Sequence, residues 1–202
     1  MIQYLLLITP MLSFLFSSFY ECGDIINTEH QNIPIEICYG TDEEIGTTMH
    51  LGEHNEGIIV LGLASWGWGT MSSSSMVLEQ IAEYFELDER ILVIQNLDEP
   101  DSIGLNCEIW ATMNQTDSFN IIDDGDLQLL FNLFAIDNYF NAIIIIDHNM
   151  IFRYYDCDAN DSEHLIDVIN NILFELENAV GDLNNDGGLN IQDIILLVNI
   201  IL

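Results

Sequence analysis

The residues best suited to chemistry lie near the C-terminus, where oxygen-bearing side chains recur at short intervals. Counted from Asp182, they occupy positions 1, 3, 5, 9 and 12 of a twelve-residue segment. Gly187 stands at position 6, where a calcium loop turns sharply, and the residue at position 7 offers a backbone carbonyl oxygen. The spacing therefore predicts a calcium site whose ligands are Asp182, Asn184, Asp186, Gly188, Asn190 and Asp193.

Asp193 departs from the EF-hand pattern, which has glutamate at the last ligand position. Because aspartate is shorter, it reaches less far toward the ion. The alternative is a surface turn, since Asn, Asp and Gly favour turns without any ion. Five matched ligand positions and the glycine favour calcium. A second acidic run follows Asp156, but Asp161 stands where a calcium loop needs glycine, so Asp161 or Ser162 is interpreted as a helix N-cap.

Thiol chemistry is the other possibility, because the chain has four cysteines. No two of them are spaced as Cys-x-x-Cys, and four cysteines allow three connectivities. We expect the pairs Cys22–Cys38 and Cys107–Cys157 in an oxidising compartment, with buried free thiols as the alternative.

The N-terminus and the charge balance limit the compartment and the partners. Residues 1–20 contain an apolar run that we interpret as a secretory signal peptide, with a membrane anchor or a core segment as alternatives. Export would make the protein secreted or attached to the cell surface, or periplasmic, with no stable membrane span in the mature chain. The 34 acidic residues against two basic ones give a formal net charge of −32. Such a charge repels nucleic acid and anionic lipid, so neither is an expected partner.

The apolar pattern predicts an α/β fold. Continuous apolar runs indicate buried strands, and stripes at helical spacing indicate amphipathic helices. The predicted strands are 33–38, 58–64, 91–95, 119–122, 142–146 and 151–155, and the predicted helices are 75–86, 126–134 and 162–179. The last two strands are predicted to form a hairpin, and most of residues 98–126 are predicted to be irregular. This order of elements predicts a mixed sheet with helices on its faces.

Residues at two strand ends resemble those of the thioredoxin-like fold. The sequence Ala64-Ser65-Trp66 looks like the end of that family's central strand, directly before its active-site cysteines. The pair Ile146-Asp147 looks like the Ile-Asp pair that precedes a hairpin in the family. The resemblance implies a thioredoxin-like domain over residues 21–179.

The positions that match the family's Cys-x-x-Cys motif hold Gly67 and Thr70, and Asn141 matches the cis-proline. Neither glycine nor threonine can replace a redox thiol. We therefore predict no catalytic residue and interpret the domain as a scaffold that has lost the family's chemistry. The alternative is a thiol–disulfide oxidoreductase or peroxiredoxin-like enzyme that uses an off-pattern cysteine such as Cys107.

Residues 180–202 resemble one repeat of a type I dockerin module. The loop leads directly into an apolar helix over Ile191–Leu202, and aspartate holds the last ligand position. Dockerins carry two such repeats, and one is present here. The resemblance implies calcium-dependent binding of a cohesin-like or other protein partner. The leading hypothesis is an exported acidic protein in which this repeat serves binding or surface attachment beside a redox-inactive domain.

Overall fold

A seven-stranded mixed sheet of order β2-β1-β5-β4-β3-β6-β7 forms the centre of the protein. The computed structural model describes residues 19–40, 44–65, 73–98, 106–124, 128–134, 141–157, 160–181, 183 and 191–201. The strands are β1 Ile35–Tyr39, β2 Thr48–Met49, β3 Ile58–Ser65, β4 Ile91–Asp98, β5 Asn120–Asp123, β6 Asn141–Ile146 and β7 Phe152–Asp156. The α-helices are α1 Thr28–Gln31, α2 Ser73–Tyr84, α3 Cys107–Asn114, α4 Leu129–Phe134, α5 Ser162–Gly181 and α6 Ile191–Ile201, with a 3-10 helix at Leu51–His54.

The centre of the sheet is parallel and its flanks are antiparallel. β3 pairs with β4 and β4 with β5 in parallel, so α2 and α3 serve as the two crossover connections. β6 and β7 form the predicted hairpin on one side, and β1 and β2 pair antiparallel on the other. The carboxyl ends of β3 and β4 therefore meet at one edge, where α/β folds commonly build their sites.

Both faces of the sheet are covered, which explains why β3 and β6 are continuous apolar runs. α2, α3 and α5 pack on one face with Val60 and Ile145, and α4 and the N-terminal segment pack on the other with Leu61. Gly62 allows α2 to approach β3 closely, because a Cβ atom at this position would overlap Leu78 Cδ1.

Each predicted strand and helix is present in type, whereas α1, β2, the 3-10 helix and α3 were not predicted. α3 lies within the stretch predicted to be irregular. The Asn106 side chain caps it by accepting a hydrogen bond from the Ile109 backbone N–H at 2.9 Å. Gln115 ends the helix in a left-handed conformation with φ of 56°. A helix of two turns has too few residues to show a clear helical period in the sequence.

Both arginines of the chain reach from the sheet to acidic residues of α5. Arg90 contacts Glu177 with an Nη1–Oε1 distance of 3.0 Å. Arg153 on β7 contacts Glu175 on α5 and Asp147, with N–O distances of 2.8 Å in both pairs. The Asp147 side chain is fully buried and also accepts hydrogen bonds from two backbone N–H groups of the β6–β7 turn. These contacts tie α5 to the start of β4, in the middle of the sheet, and to the edge strand β7.

Within the described residues, no helix is long and apolar enough to cross a membrane. Most of the predicted signal peptide, residues 1–18, lies outside those residues.

Candidate functional site

The turn at which the resemblance locates redox chemistry, with Gly67 and Thr70, lies outside the described residues. The neighbouring first turn of α2 carries Ser74 and Ser75, and both are fully buried. Ser74 Oγ lies 3.4 Å from the Asn141 side-chain oxygen at the start of β6. The described residues around the turn are thus hydroxyl and amide groups rather than thiols.

A buried side-chain amide, that of Gln95, joins α2, β4 and α3. Ser75 Oγ donates to Gln95 Oε1 at 2.9 Å, and Trp110 Nε1 donates to the same oxygen at 3.1 Å. Because an indole N–H can only donate, the Gln95 oxygen must face Trp110. A hydrogen-bonded buried cluster of this kind fixes the relative positions of three elements.

The disulfide described by the structure joins Cys38 on β1 to Cys107 at the start of α3. The Cα atoms are 5.8 Å apart and the sequence separation of the two cysteines is 69. Cys107 is only 4% exposed, whereas Cys38 is partly exposed. Cys38 Sγ also lies 3.4 Å from the Ile121 carbonyl oxygen on β5.

The predicted pairing of Cys22 with Cys38 and of Cys107 with Cys157 is therefore wrong. Cys22 lies beside β7, since the next residue donates its backbone N–H to the Phe152 carbonyl oxygen. Five strand spacings separate β7 from β1, roughly 24 Å, which no disulfide can span. Cys22 and Cys157 are free, and partial burial raises the pKa of the Cys22 thiol. Cys107, the off-pattern cysteine of the enzyme alternative, is bonded to Cys38.

The two sulfur atoms of this disulfide lie in different surroundings, which decides which of them is attacked and which leaves. Cys107 is the first residue of α3 and lies at the positive end of the helix dipole, which favours a thiolate, whereas its burial opposes one. Cys38 is the more exposed of the two cysteines, so its sulfur is the one that an external thiol reaches first. An external thiol would therefore attack the more exposed Cys38 sulfur, and Cys107 would leave.

The structure describes one side chain of the predicted calcium site, because residues 182 and 184–190 lie outside the described part of the chain. Asp193, in the first turn of α6, is 3% exposed. The apolar residues of the same helix are exposed, with Ile191 at 66% and Ile201 at 74%. No group of three or more His, Cys, Asp or Glu residues that could hold a metal is found among the described residues. Calcium binding stays a prediction.

Two other acidic residues act as caps. The His164 backbone N–H donates to Asp161 Oδ1 at 3.1 Å, which confirms the predicted cap of α5. The Leu130 backbone N–H donates to Asp124 Oδ2 at 2.7 Å, at the start of α4. These contacts give both carboxylates a structural role at helix N-termini.

No family model and no curated protein matches the chain. Its fold is similar to that of solved thioredoxin-like structures. A protein disulfide isomerase candidate from Bacteroides thetaiotaomicron is 15% identical, with 77% of this chain and 96% of that chain covered and a TM-score of 0.57. A secreted Mycobacterium tuberculosis disulfide oxidoreductase is 11% identical, with coverages of 72% and 99% and a TM-score of 0.53. PrxQ from Xylella fastidiosa is 16% identical, with coverages of 78% and 98% and a TM-score of 0.54.

The chain therefore has a thioredoxin-like α/β fold, which confirms the fold that the strand-end residues implied. Identities this low establish the fold alone.

Proposed function

We propose that the domain exchanges disulfides through the Cys38–Cys107 pair. The observation that carries this proposal is that Cys107 begins α3 and is bonded to the more exposed Cys38. Similar folds occur in a disulfide oxidoreductase and in PrxQ, which supports thiol chemistry more than a redox-inactive scaffold. The oxidoreductase alternative is thus preferred to the sequence-based leading hypothesis.

The exchange needs an external thiol as reductant. Its thiolate attacks Cys38 Sγ, a new S–S bond forms, and the Cys38–Cys107 bond breaks. The bonding electron pair leaves on Cys107, at the N-terminus of α3, where the charge is stabilised. A second external thiolate then attacks the external sulfur of the mixed disulfide and releases the Cys38 thiolate. Two external thiols become one disulfide, and the protein disulfide becomes two thiols.

The test is equilibration of the folded protein with dithiothreitol followed by alkylation and mass spectrometry. Because Cys22 and Cys157 are already free, we expect two more alkyl groups than on the unreduced protein, at Cys38 and Cys107, while circular dichroism stays native. A Cys22→Ser/Cys157→Ser variant should give the same result, because those thiols take no part. Reduction that occurs only in denaturant would contradict the proposal and leave the disulfide a purely structural bond.

A second function is supported by a different observation, the burial of Asp193 on an otherwise exposed apolar helix. A calcium ion bound in the preceding loop would place positive charge near this carboxylate. We propose that Asp182, Asn184, Asp186, Gly188, Asn190 and Asp193 bind calcium. The loaded loop would orient α6 toward a cohesin-like or other protein partner outside the cell, since exposed apolar surface of this kind commonly marks an interface.

Calcium binding is tested by thermal unfolding with and without calcium. We expect calcium to stabilise the wild type and to have no effect on an Asp182→Ala/Asp186→Ala variant. An Asp156→Ala/Asp158→Ala variant is the matched control, since it removes two carboxylates of the other acidic run. A wild-type melting curve that calcium does not change would contradict this second function.

A further inference from the structure

A cleft with a volume of about 400 Å³ opens between α2, the start of β4 and the segment before β5. Its most buried lining residues are aromatic and aliphatic, among them Phe85, Phe119 and Val93, each at most 8% exposed. Its exposed lining residues include the carboxylates of Glu86, Glu89 and Asp117. The cleft thus combines an apolar interior with an acidic rim.

The cleft adjoins the disulfide. Tyr39 and Gly40, the two residues that follow Cys38, line it. Asn120 also lines it and directly precedes Ile121, whose carbonyl oxygen lies 3.4 Å from Cys38 Sγ. Cys38 itself does not line the cleft, but a molecule there would contact the chain neighbours of Cys38 and of Ile121.

The lining determines which partner fits. A volume in this range suits a small ligand or a side chain with its flanking backbone. Aromatic rings attract cations, and the rim carboxylates attract them by Coulomb's law. The same carboxylates would repel an anionic thiol. A cation with an apolar stem satisfies both parts of the lining, since its stem packs inside while its charge stays at the rim.

We propose that the thiol partner of Cys38 is a peptide segment with a cysteine beside a basic residue, whose basic side chain occupies this cleft. This inference rests on the proposed exchange at Cys38–Cys107. The basic side chain would hold the partner's sulfur near Cys38, and segments with acidic residues beside the cysteine would be excluded by charge.

The test compares exchange rates, per thiolate, of cysteamine, 2-mercaptoethanol and 3-mercaptopropionate at low ionic strength. These three thiols are similarly small. Apart from the thiolate, cysteamine carries a positive charge, 2-mercaptoethanol carries none and 3-mercaptopropionate carries a negative charge. In wild type, cysteamine should react fastest and 3-mercaptopropionate slowest. A Glu86→Gln/Glu89→Gln variant should lower the ratio of those two rates about tenfold by Coulomb's law. Because the whole chain is acidic, a Glu21→Gln/Glu29→Gln variant with the same net charge is the control, and its ratio should change less than about twofold.

The outcomes separate the two proposals. If none of the three thiols reduces the disulfide in folded protein, the proposed exchange itself is wrong. If all three do and both double variants change the rate ratio equally, exchange stands and the cleft has no role in selecting the thiol. Asp117→Asn, on another part of the rim, provides a second variant that should act in the same direction as Glu86→Gln/Glu89→Gln.

Discussion

Removal of the Cys38–Cys107 disulfide gives a sharp quantitative prediction. The bond closes a loop with 69 residues of sequence separation, and restriction of the unfolded chain by such a loop stabilises the fold by about 4 kcal/mol. A Cys38→Ser/Cys107→Ser variant should lose about this amount. With a urea m-value of about 2 kcal/mol/M, the unfolding midpoint should fall by about 2 M.

The control is Cys22→Ser/Cys157→Ser, which makes the same chemical change at the two free cysteines. Its midpoint should match that of oxidised wild type. The reasoning would be refuted if Cys38→Ser/Cys107→Ser unfolded at the midpoint of oxidised wild type.

The same measurement bears on redox chemistry, because stability and reduction are linked by a thermodynamic cycle. A disulfide that stabilises the fold by about 4 kcal/mol has its reduction potential lowered by about 90 mV. Stabilisation of the Cys107 thiolate by α3 acts in the opposite direction. If reduction lowers the free energy of unfolding of wild type by less than about 4 kcal/mol, while Cys38→Ser/Cys107→Ser loses the full amount, the Cys107 thiolate is stabilised in the reduced protein.

Three further substitutions test the packing and the charges. Arg153→Met should cost about 3 kcal/mol in urea unfolding, because it leaves the fully buried Asp147 carboxylate without its cation. Gly62→Ala should cost about 1–3 kcal/mol in the same assay, because its methyl group would overlap a side chain of α2. Hydrogen bonds from Arg90 lower the pKa of Asp88. The stability this pair contributes is present above the unfolded pKa of Asp88 and lost as pH falls through the folded pKa. Arg90→Met should raise the Asp88 pKa, measured from carboxyl ¹³C shifts, while costing less than about 1 kcal/mol at this partly exposed pair.

The strands in the middle of the sheet could be predicted because a strand that is buried on both faces has a continuous apolar sequence. β3 and β6 are long apolar runs, and the amphipathic stripes of α2 and α5 are equally clear. Local pattern sufficed for these elements because each lies deep in the core.

The disulfide could not be predicted because it depends on strand order. β1 comes first among the strands in the chain but lies beside β5, which puts Cys38 next to the start of α3. No local signal encodes that neighbour relation. Asn106 was a usable signal for the start of α3. Asparagine is also common in loops, however, so this residue alone does not predict a helix.

The two arginines also determine where trypsin can cleave this protein. The chain contains no lysine, so trypsin has two cleavage sites, after Arg90 and after Arg153. Arg153 lies within β7, and the Arg90 carbonyl oxygen accepts a hydrogen bond from the Ile58 backbone N–H. Cleavage therefore requires local opening of the sheet at one of these two points. Complete digestion would give fragments 1–90, 91–153 and 154–202, and the first two would stay joined through Cys38 and Cys107 until a reductant is added. A single digestion, read with and without reductant, would thus report both the opening of the sheet and the state of its disulfide.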